Sequence, residues 1–325
     1  FLKKSKINKN GAAKQCFCGS LFFKRIFKEI IKVQNKTAAA SYYGIKEVWS
    51  MKGTIYVIGG DLRQITVAGL LKEEGFDVYT IGLTEEDAGL DGLCAADCVI
   101  LPIPASCDNI YINAPLAKTR ISVSEVLDNI PSGCFVLGAC ISKELAEEFV
   151  RRSIMFTDYY KREELIIKNA IPTAEGTVEI ALAEMPITLF ESRVLITGYG
   201  RVGKVLAERM AAMGADVTVS ARKCADFAWI CERGFKAIHT NELTSAADKF
   251  DLIVNTIPAV VLTEEVLERV KNDALIIDLA SKPGGVDFGT AKKLGKNVIW
   301  ALSLPGKSAP ITSGRIIGET IMNIL

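Results

Sequence analysis

The stretch "VLITGYGRVGKVLAERMAAMGADVTVSARK", Val194 to Lys223, constrains the chain most. An apolar run of strand length meets a glycine-rich turn, then an amphipathic segment of helical period, then a second strand. Gly198, Gly200 and Gly203 fall where such a unit needs them: one for the tight turn, one so that the backbone can approach a pyrophosphate, one for close packing of helix on strand. A phosphate then sits on the helix N-terminus, where unpaired N–H groups and the dipole favour an anion. Four further strand patterns follow, "KAIH", "DLIVNT", "ALIIDLA" and "NVIWA", so the turn has the context that a bare GxGxxG lacks. The residues read as cofactor-binding are Gly198, Tyr199, Gly200, Arg201, Val202 and Gly203 in the turn, then Ser220, Ala221, Arg222 and Lys223 after it, and Asn255, Thr256, Ile257 and Pro258 at a later strand end.

The end of the second strand selects the nucleotide. An acid there would accept from the ribose 2′-OH of NAD; Ser220, Ala221, Arg222 and Lys223 offer a hydroxyl and two cations, which suit a 2′-phosphate. NADP is favoured, with NAD left open. The alternative for Arg222 and Lys223 is a solvated helix start.

Alternating strand and helix patterns run through the whole chain, the signature of parallel sheets covered on both faces. In the first half "TIYVIGG", "DVYTIG", "CVILP" and "CFVLG" read as strands, and the segments near Asp61–Glu74, Ser122–Asn129 and Lys143–Val150 as helices. Thr173–Glu184 reads as a helix bounded by Pro172 and Pro186, a natural place to change domains, and Ile311–Ile324 as a last helix packing back on the first domain. The expected fold is α/β: two Rossmann-like, doubly wound parallel-sheet domains with a cleft between them, 51–185 for substrate and 186–325 for nucleotide. "VIGGDLRQ" lacks the third glycine, so no second dinucleotide is placed there.

Net charge is +1, but residues 1–50 carry eleven Lys or Arg against Glu29 and Glu47, so that segment is +9 and the remainder −8. It contains no methionine, and Met51 precedes the first strand; residues 1–50 read as a basic extension outside the native chain, with a targeting peptide as the rival. No run of eighteen apolar residues exists, so no membrane span is expected; no nucleic-acid partner is expected either. Nine scattered cysteines fit reduced thiols and a cytoplasmic setting. Cys94 and Cys98 lack a second pair to complete a metal site, and none is expected.

Reaction type follows partly by exclusion. A 2-hydroxyacid dehydrogenase wants a His base beside the carbinol, and the one histidine, His239, follows a strand in the nucleotide half. What remains are polar strand ends: "PTAEG", "NTIP", "SKPGG" and "LPGKSAP". Lys282 and Lys307 are cations for substrate carboxylates, and Thr173 and Glu175 supply a hydroxyl and a proton acceptor; for each lysine alone the alternative is a solvated loop charge. Arg63, in "GGDLRQ", is a further substrate-binding candidate, and Glu175 and Lys282 are the catalytic ones.

From Met51 onward, "VIGGDLRQ", "YYKREELIIKNAIPTAEG", "GYGRVGKVLA", "ARK", "VNTIP", "IIDLASKPGGVDF" and "LPGKSAPITSGRII" resemble, in that order, the A subunits of dipicolinate synthase. The resemblance implies NADP-dependent oxidation of a dihydro- or hydroxytetrahydrodipicolinate in the mother cell of a spore-forming bacterium. It also implies the flavoprotein-like B subunit of dipicolinate synthase as partner, and a homo-oligomer is admitted. Ring aromatisation would drive the hydride loss, so only modest base help, as from Glu175, is needed. A different small-acid dehydrogenase and a nucleotide-binding regulatory subunit without turnover stay open as alternatives.

Overall fold

A computed structural model of the chain describes residues 53–85 and 87–325. The expectations for 1–50 and for Met51 lie outside the described residues. Two compact units emerge: one comprises the described residues up to Arg162 together with Ile317–Leu325, the other Glu163–Ile316.

The first unit begins with β1 (Thr54–Ile58), α1 (Leu62–Glu73), β2 (Asp77–Ile81) and β3 (Cys98–Ile100), and continues with α2 (Val123–Asn129), β4 (Phe135–Gly138), α3 (Lys143–Arg151) and β5 (Met155–Asp158). All five strands are parallel, in the order β2-β1-β3-β4-β5. Asp61, Ser122 and Ser142 start the three helices by accepting backbone N–H groups with their side chains. Fully buried Ile55, Val57, Val99 and Val136 line the sheet, and Phe149 of α3 is fully buried as well. Strand β5, "MFTD", was not expected: it is short and only half apolar, and pairing with β4 makes it a strand.

The second unit starts with α4 (Glu163–Glu184) and β6 (Arg193–Thr197), then α5 (Arg201–Ala212), β7 (Asp216–Ala221), α6 (Cys224–Glu232), β8 (Lys236–His239), α7 (Leu243–Ala246) and β9 (Leu252–Asn255). It ends with α8 (Glu264–Arg269), β10 (Leu275–Asp278), α9 (Phe288–Lys293), β11 (Asn297–Trp300), α10 (Leu304–Ser308) and the start of α11 (Pro310–Met322). Its parallel sheet runs β11-β10-β9-β6-β7-β8, the doubly wound order in which the chain reverses direction between β6 and β9.

Two boundaries differ from the sequence reading. The units part at Arg162/Glu163, not near residue 185, because α4 packs along α5 and belongs wholly to the second unit. Helix α4 also starts ten residues before Thr173 and runs through Pro172. The proline lacks an N–H and disfavours helix before it. Here Ala170, Pro172, Ala174, Gly176 and Ala181 are buried, and that tertiary packing keeps the helix continuous. In α11, residues from Ile317 on go with the first unit, where a Cβ at Gly318 would stand 2.9 Å from Leu70.

Asp251 ties together the amino ends of the second sheet. Its carboxylate accepts from the Arg193 N–H (2.8 Å) and from Lys271 Nζ (2.5 Å), while its own N–H and C=O pair with β6 and β10. Burial pushes this carboxyl up, but the hydrogen bonds from Lys271 and Arg193 outweigh it and hold the pKa at about 2. A pKa depressed on folding stabilises fully above the unfolded value near 4 and is lost as pH falls towards 2. Asp251→Asn should therefore lower stability by about 1–2 kcal/mol at neutral pH and flatten the acid limb between pH 4 and 2. Denaturant titration across that range checks it; an unchanged acid limb would refute the linkage.

Candidate dinucleotide site

The turn after β6 has the shape that its glycines implied. Gly198 takes φ +95°, in the left-handed region, and its N–H donates to the Ser220 carbonyl (3.0 Å). A Cβ on Gly203 would run into the Gly198 carbonyl, so α5 can start close against the turn only with glycine there. A Cβ on Gly200 meets nothing within 4 Å. The space in front of the helix is open, and the N–H groups of Gly200, Arg201 and Val202 make no hydrogen bond among the described residues. A pyrophosphate fits this cradle on shape and on dipole. Tyr199 is buried, with Lys204 over its ring at 5.2 Å.

At the end of β7 the expected residues divide. Ser220 and Ala221 are buried, and the Ser220 hydroxyl meets no partner, so neither side chain is presented to a phosphate as anticipated. Arg222 and Lys223 are exposed and form no ion pair among the described residues; Lys223 occupies the N-cap position of α6 without a side-chain cap. The two cations therefore stand free at the strand end.

A buried polar chain joins the carboxyl ends of β6, β9 and β10. Thr197 Oγ1 donates to Asn255 Oδ1 (2.6 Å), and Asn255 Nδ2 donates to Asp278 Oδ1 (2.7 Å) and to the Ile257 carbonyl (3.0 Å). Asp278 also accepts from the N–H of Ala280 (3.0 Å) and of Gly285 (2.7 Å). All three residues have zero exposure. Asn255 is thus consumed inside the protein rather than offered to a ligand, a correction to its expected role. Thr256 is anchored through Oγ1 to the Thr197 carbonyl (2.8 Å), which leaves Ile257 and exposed Pro258 at the edge. Thr197 and Asp278 escaped the sequence reading; the signal was an ionisable residue closing the otherwise apolar run "LIID".

Asp278 also sets the loop that carries Lys282. Its hold on Gly285 fixes the far end of 281–285, where a Cβ would collide with Asn255, and Lys282 projects exposed from that loop. Lys307, anticipated on a loop, lies exposed on the short helix α10, which starts "LP" with Pro305 in its first turn. This helix packs on α4 where Gly176 meets Ser308, so Thr173 and Lys307 belong to touching elements. Thr173 sits midway along α4 rather than at its start, its hydroxyl bonded back to the Asn169 carbonyl (2.8 Å).

Glu175 stands elsewhere. It is exposed, with Oε1 3.7 Å from Arg209 Nε. Glu163 pairs with Arg201 (3.4 Å) at the start of α5, so Arg209 and Glu175 lie roughly 12 Å further along that helix, away from the pyrophosphate cradle. That position does not support the general-base role. His239 is also accounted for: Nδ1 accepts from the Asn241 N–H (3.4 Å) and the ring stacks on Phe227, a structural duty.

In the first unit, Arg63 is 9% exposed and grips Asp61, with Nε–Oδ1 2.9 Å and Nη2–Oδ2 2.8 Å. Tyr159, fully buried, donates to the Leu101 carbonyl (2.9 Å), and burial pushes its hydroxyl well above the usual range. No helix among the described residues is long and apolar enough to cross a membrane.

A dehydrogenase-type dinucleotide-binding domain, preceded by a second doubly wound parallel-sheet unit, is the class that this fold and site define. Residues 170–283 match the model of the D-isomer specific 2-hydroxyacid dehydrogenase NAD binding domain, and residues 54–160 that of the N-terminal domain of the dipicolinate synthase A subunit. The chain is 33% identical over 282 residues to the dipicolinate synthase A subunit of Bacillus subtilis (strain 168), spanning 83% of this chain and 95% of the relative. Crystal structures of the A subunits from Bacillus halodurans (TM-score 0.78, 29% identity, 84% of this chain and 98% of that one) and from Bacillus subtilis (TM-score 0.77, 32% identity, 84% and 95%) share its fold. The chain belongs to the family of dipicolinate synthase A subunits.

Asp278→Ala would take one of two acceptors from Asn255 Nδ2 and leave two backbone N–H groups unpaired in the interior, the latter at about 1–3 kcal/mol each before relaxation. The variant should melt lower and bind dinucleotide more weakly, while Asp278→Asn, which keeps one acceptor, should fall in between. Thermal melts with and without NADP⁺ decide it; a wild-type melting curve for the alanine variant would refute the network's role.

Proposed function

We propose that the chain oxidises a dihydropyridine-2,6-dicarboxylate to dipicolinate with NADP⁺, in the mother-cell cytoplasm of a spore former and beside a flavoprotein-like second subunit. The observation that carries this reading is the pairing, in a member of this family, of an open glycine cradle with two unpartnered cations at the end of β7. The name of the Bacillus subtilis relative supplies the product.

The chemistry balances simply. One hydride leaves a ring carbon and one proton leaves the ring, and the aromatic pyridine forms. NADP⁺, when bound, would supply the hydride acceptor. The chain's part is to hold and orient: backbone N–H groups of Gly200, Arg201 and Val202 on the pyrophosphate, Arg222 and Lys223 on the 2′-phosphate, Lys282 and Lys307 on a substrate carboxylate. Aromatisation supplies driving force, so the proton can pass to solvent. That agrees with a histidine tied into structure and a Glu175 turned to Arg209.

The cofactor half is tested by changing Arg222 and Lys223 together to Ala. NADP⁺ should weaken by about 2–4 kcal/mol and NAD⁺ hardly at all, allowing for non-additivity of two charged hydrogen bonds. Calorimetry reads this directly, and equal loss for both nucleotides would sink the 2′-phosphate assignment.

The reaction is tested by supplying NADP⁺ and the product of the lysine-pathway dihydrodipicolinate-forming enzyme, with and without the second subunit, and quantifying NADPH and dipicolinate. Lys282→Ala and Lys307→Ala should each lower kcat/KM by about 1.5–3 kcal/mol with NADP⁺ affinity intact. Glu175→Gln should cost far less than the roughly 10²-fold of a lost general base. Absence of dipicolinate under both conditions would overturn the reading.

A further inference from the structure

The first sheet has its own reversal point, between β1 and β3, and open α/β sheets place ligands outside such points. Arg63 spans it. While gripping Asp61, its Nη2 reaches the Ile103 carbonyl (3.2 Å) on the segment that follows β3. Its Nη1 makes no hydrogen bond among the described residues, and neither does the N–H of Leu62 at the start of the twelve-residue α1. Beneath them lies Gln64, with zero exposure, its side chain 2.7 Å from where a Cβ on Gly60 would stand. Gln64 Nε2 donates to the Tyr159 hydroxyl (3.4 Å), but Oε1 meets no donor. An arginine buried only to brace the turn has no need of an idle Nη1, and a stranded amide oxygen is destabilising by itself. The turn therefore holds unused donors, with an unused acceptor buried behind it.

We propose that this crevice binds a carboxylate flanked by an N–H. The carboxylate lies on Arg63 Nη1 and the Leu62 N–H, and the neighbouring N–H turns to the Asp61 carboxylate, with Gln64 Oε1 behind it. Asp61 decides between this ligand and a bare anion: an anion alone meets a carboxylate as well as the guanidinium, whereas a donor beside the charge turns that repulsion into a hydrogen bond. A 1,2- or 1,4-dihydropyridine-2-carboxylate, whose ring N–H stands beside the carboxylate, has this pattern. The inference rests on the proposed function for the identity of the ring, though not for the subsite.

Calorimetry on the full chain tests it with two probes of similar shape: piperidine-2,6-dicarboxylate, which carries the N–H, and cyclohexane-1,3-dicarboxylate, which does not. The piperidine compound should bind about tenfold tighter, the worth of one charge-assisted hydrogen bond. Arg63→Lys, which keeps the charge and loses the fork, should weaken it about tenfold with NADP⁺ affinity unchanged. Gln64→Met, which leaves the bond from Tyr159 to Leu101 in place, should shrink the preference between probes, and serves if the Arg63 variant fails to fold. Equal affinity for the two probes, no binding of either, or an Arg63→Lys and a Gln64→Met variant that both match wild type would overturn the subsite. If the probes behave as expected but no dipicolinate is ever formed, the subsite stands and the proposed reaction falls. Turnover to dipicolinate with indifferent probes would mean the reverse.

Discussion

Everything at the carboxyl edge of the second sheet hangs on the bond between Asn255 and Asp278. A charge with zero exposure is tolerated only when its lone pairs are filled, and Asp278 fills them from three directions: a side-chain amide, the N–H two residues on, and the N–H of Gly285. Through Asn255 the same chain reaches Thr197, the last residue before the glycine turn. Three strand ends and two functional loops are thus held by one run of hydrogen bonds. Gly285 is part of it, since no side chain fits against Asn255 at that point.

The distribution of ion pairs separates structural charges from available ones. Arg63, Arg151, Arg152, Arg193, Arg201, Arg209 and Arg233 each have a carboxylate partner. Among the described residues Arg222, Lys223, Lys282 and Lys307 have none, and all four follow strands at the carboxyl side of the sheet. Exposed pairs contribute little to stability, so their absence costs the fold almost nothing; Lys249 and Arg269 also lack a carboxylate among the described residues, and it is their place after the strand ends that offers these four cations to anionic ligands. The carboxylate chosen from sequence for proton transfer, Glu175, falls on the other side of this division, because it has a partner.

The two sheets wind differently. The second follows the six-strand dinucleotide order; the first has the order β2-β1-β3-β4-β5, and its glycine turn leads to a half-buried Arg63–Asp61 pair rather than to bare backbone donors. Gly60 marks the contrast: a Cβ there strikes Gln64, whereas one on Gly200 meets empty space. Two turns of similar composition therefore present different chemistry, one bare backbone donors and the other a mixed set of donors and acceptors.

By itself the sequence determined the alternation of strands and helices, the glycine turn, the cationic strand end and the family. These are written in local patterns: apolar runs of strand length, glycines at fixed offsets, charges beside them. Only the tertiary structure decided the rest. Pro172 reads locally as a helix stop, yet the packing of Ala170, Ala174 and Gly176 carries α4 through it and moves the domain boundary to Glu163. Strand β5 exists because β4 offers it a partner. Asn255 and Ser220 looked like ligand contacts by position along the chain, but burial turns one into a structural joint and hides the other. Glu175 was separated from the dinucleotide turn by its register along α5, and Gln64 was placed under Gly60 by a close approach. Side-chain direction and burial depend on neighbours distant in sequence, and a strand or helix pattern holds no record of them.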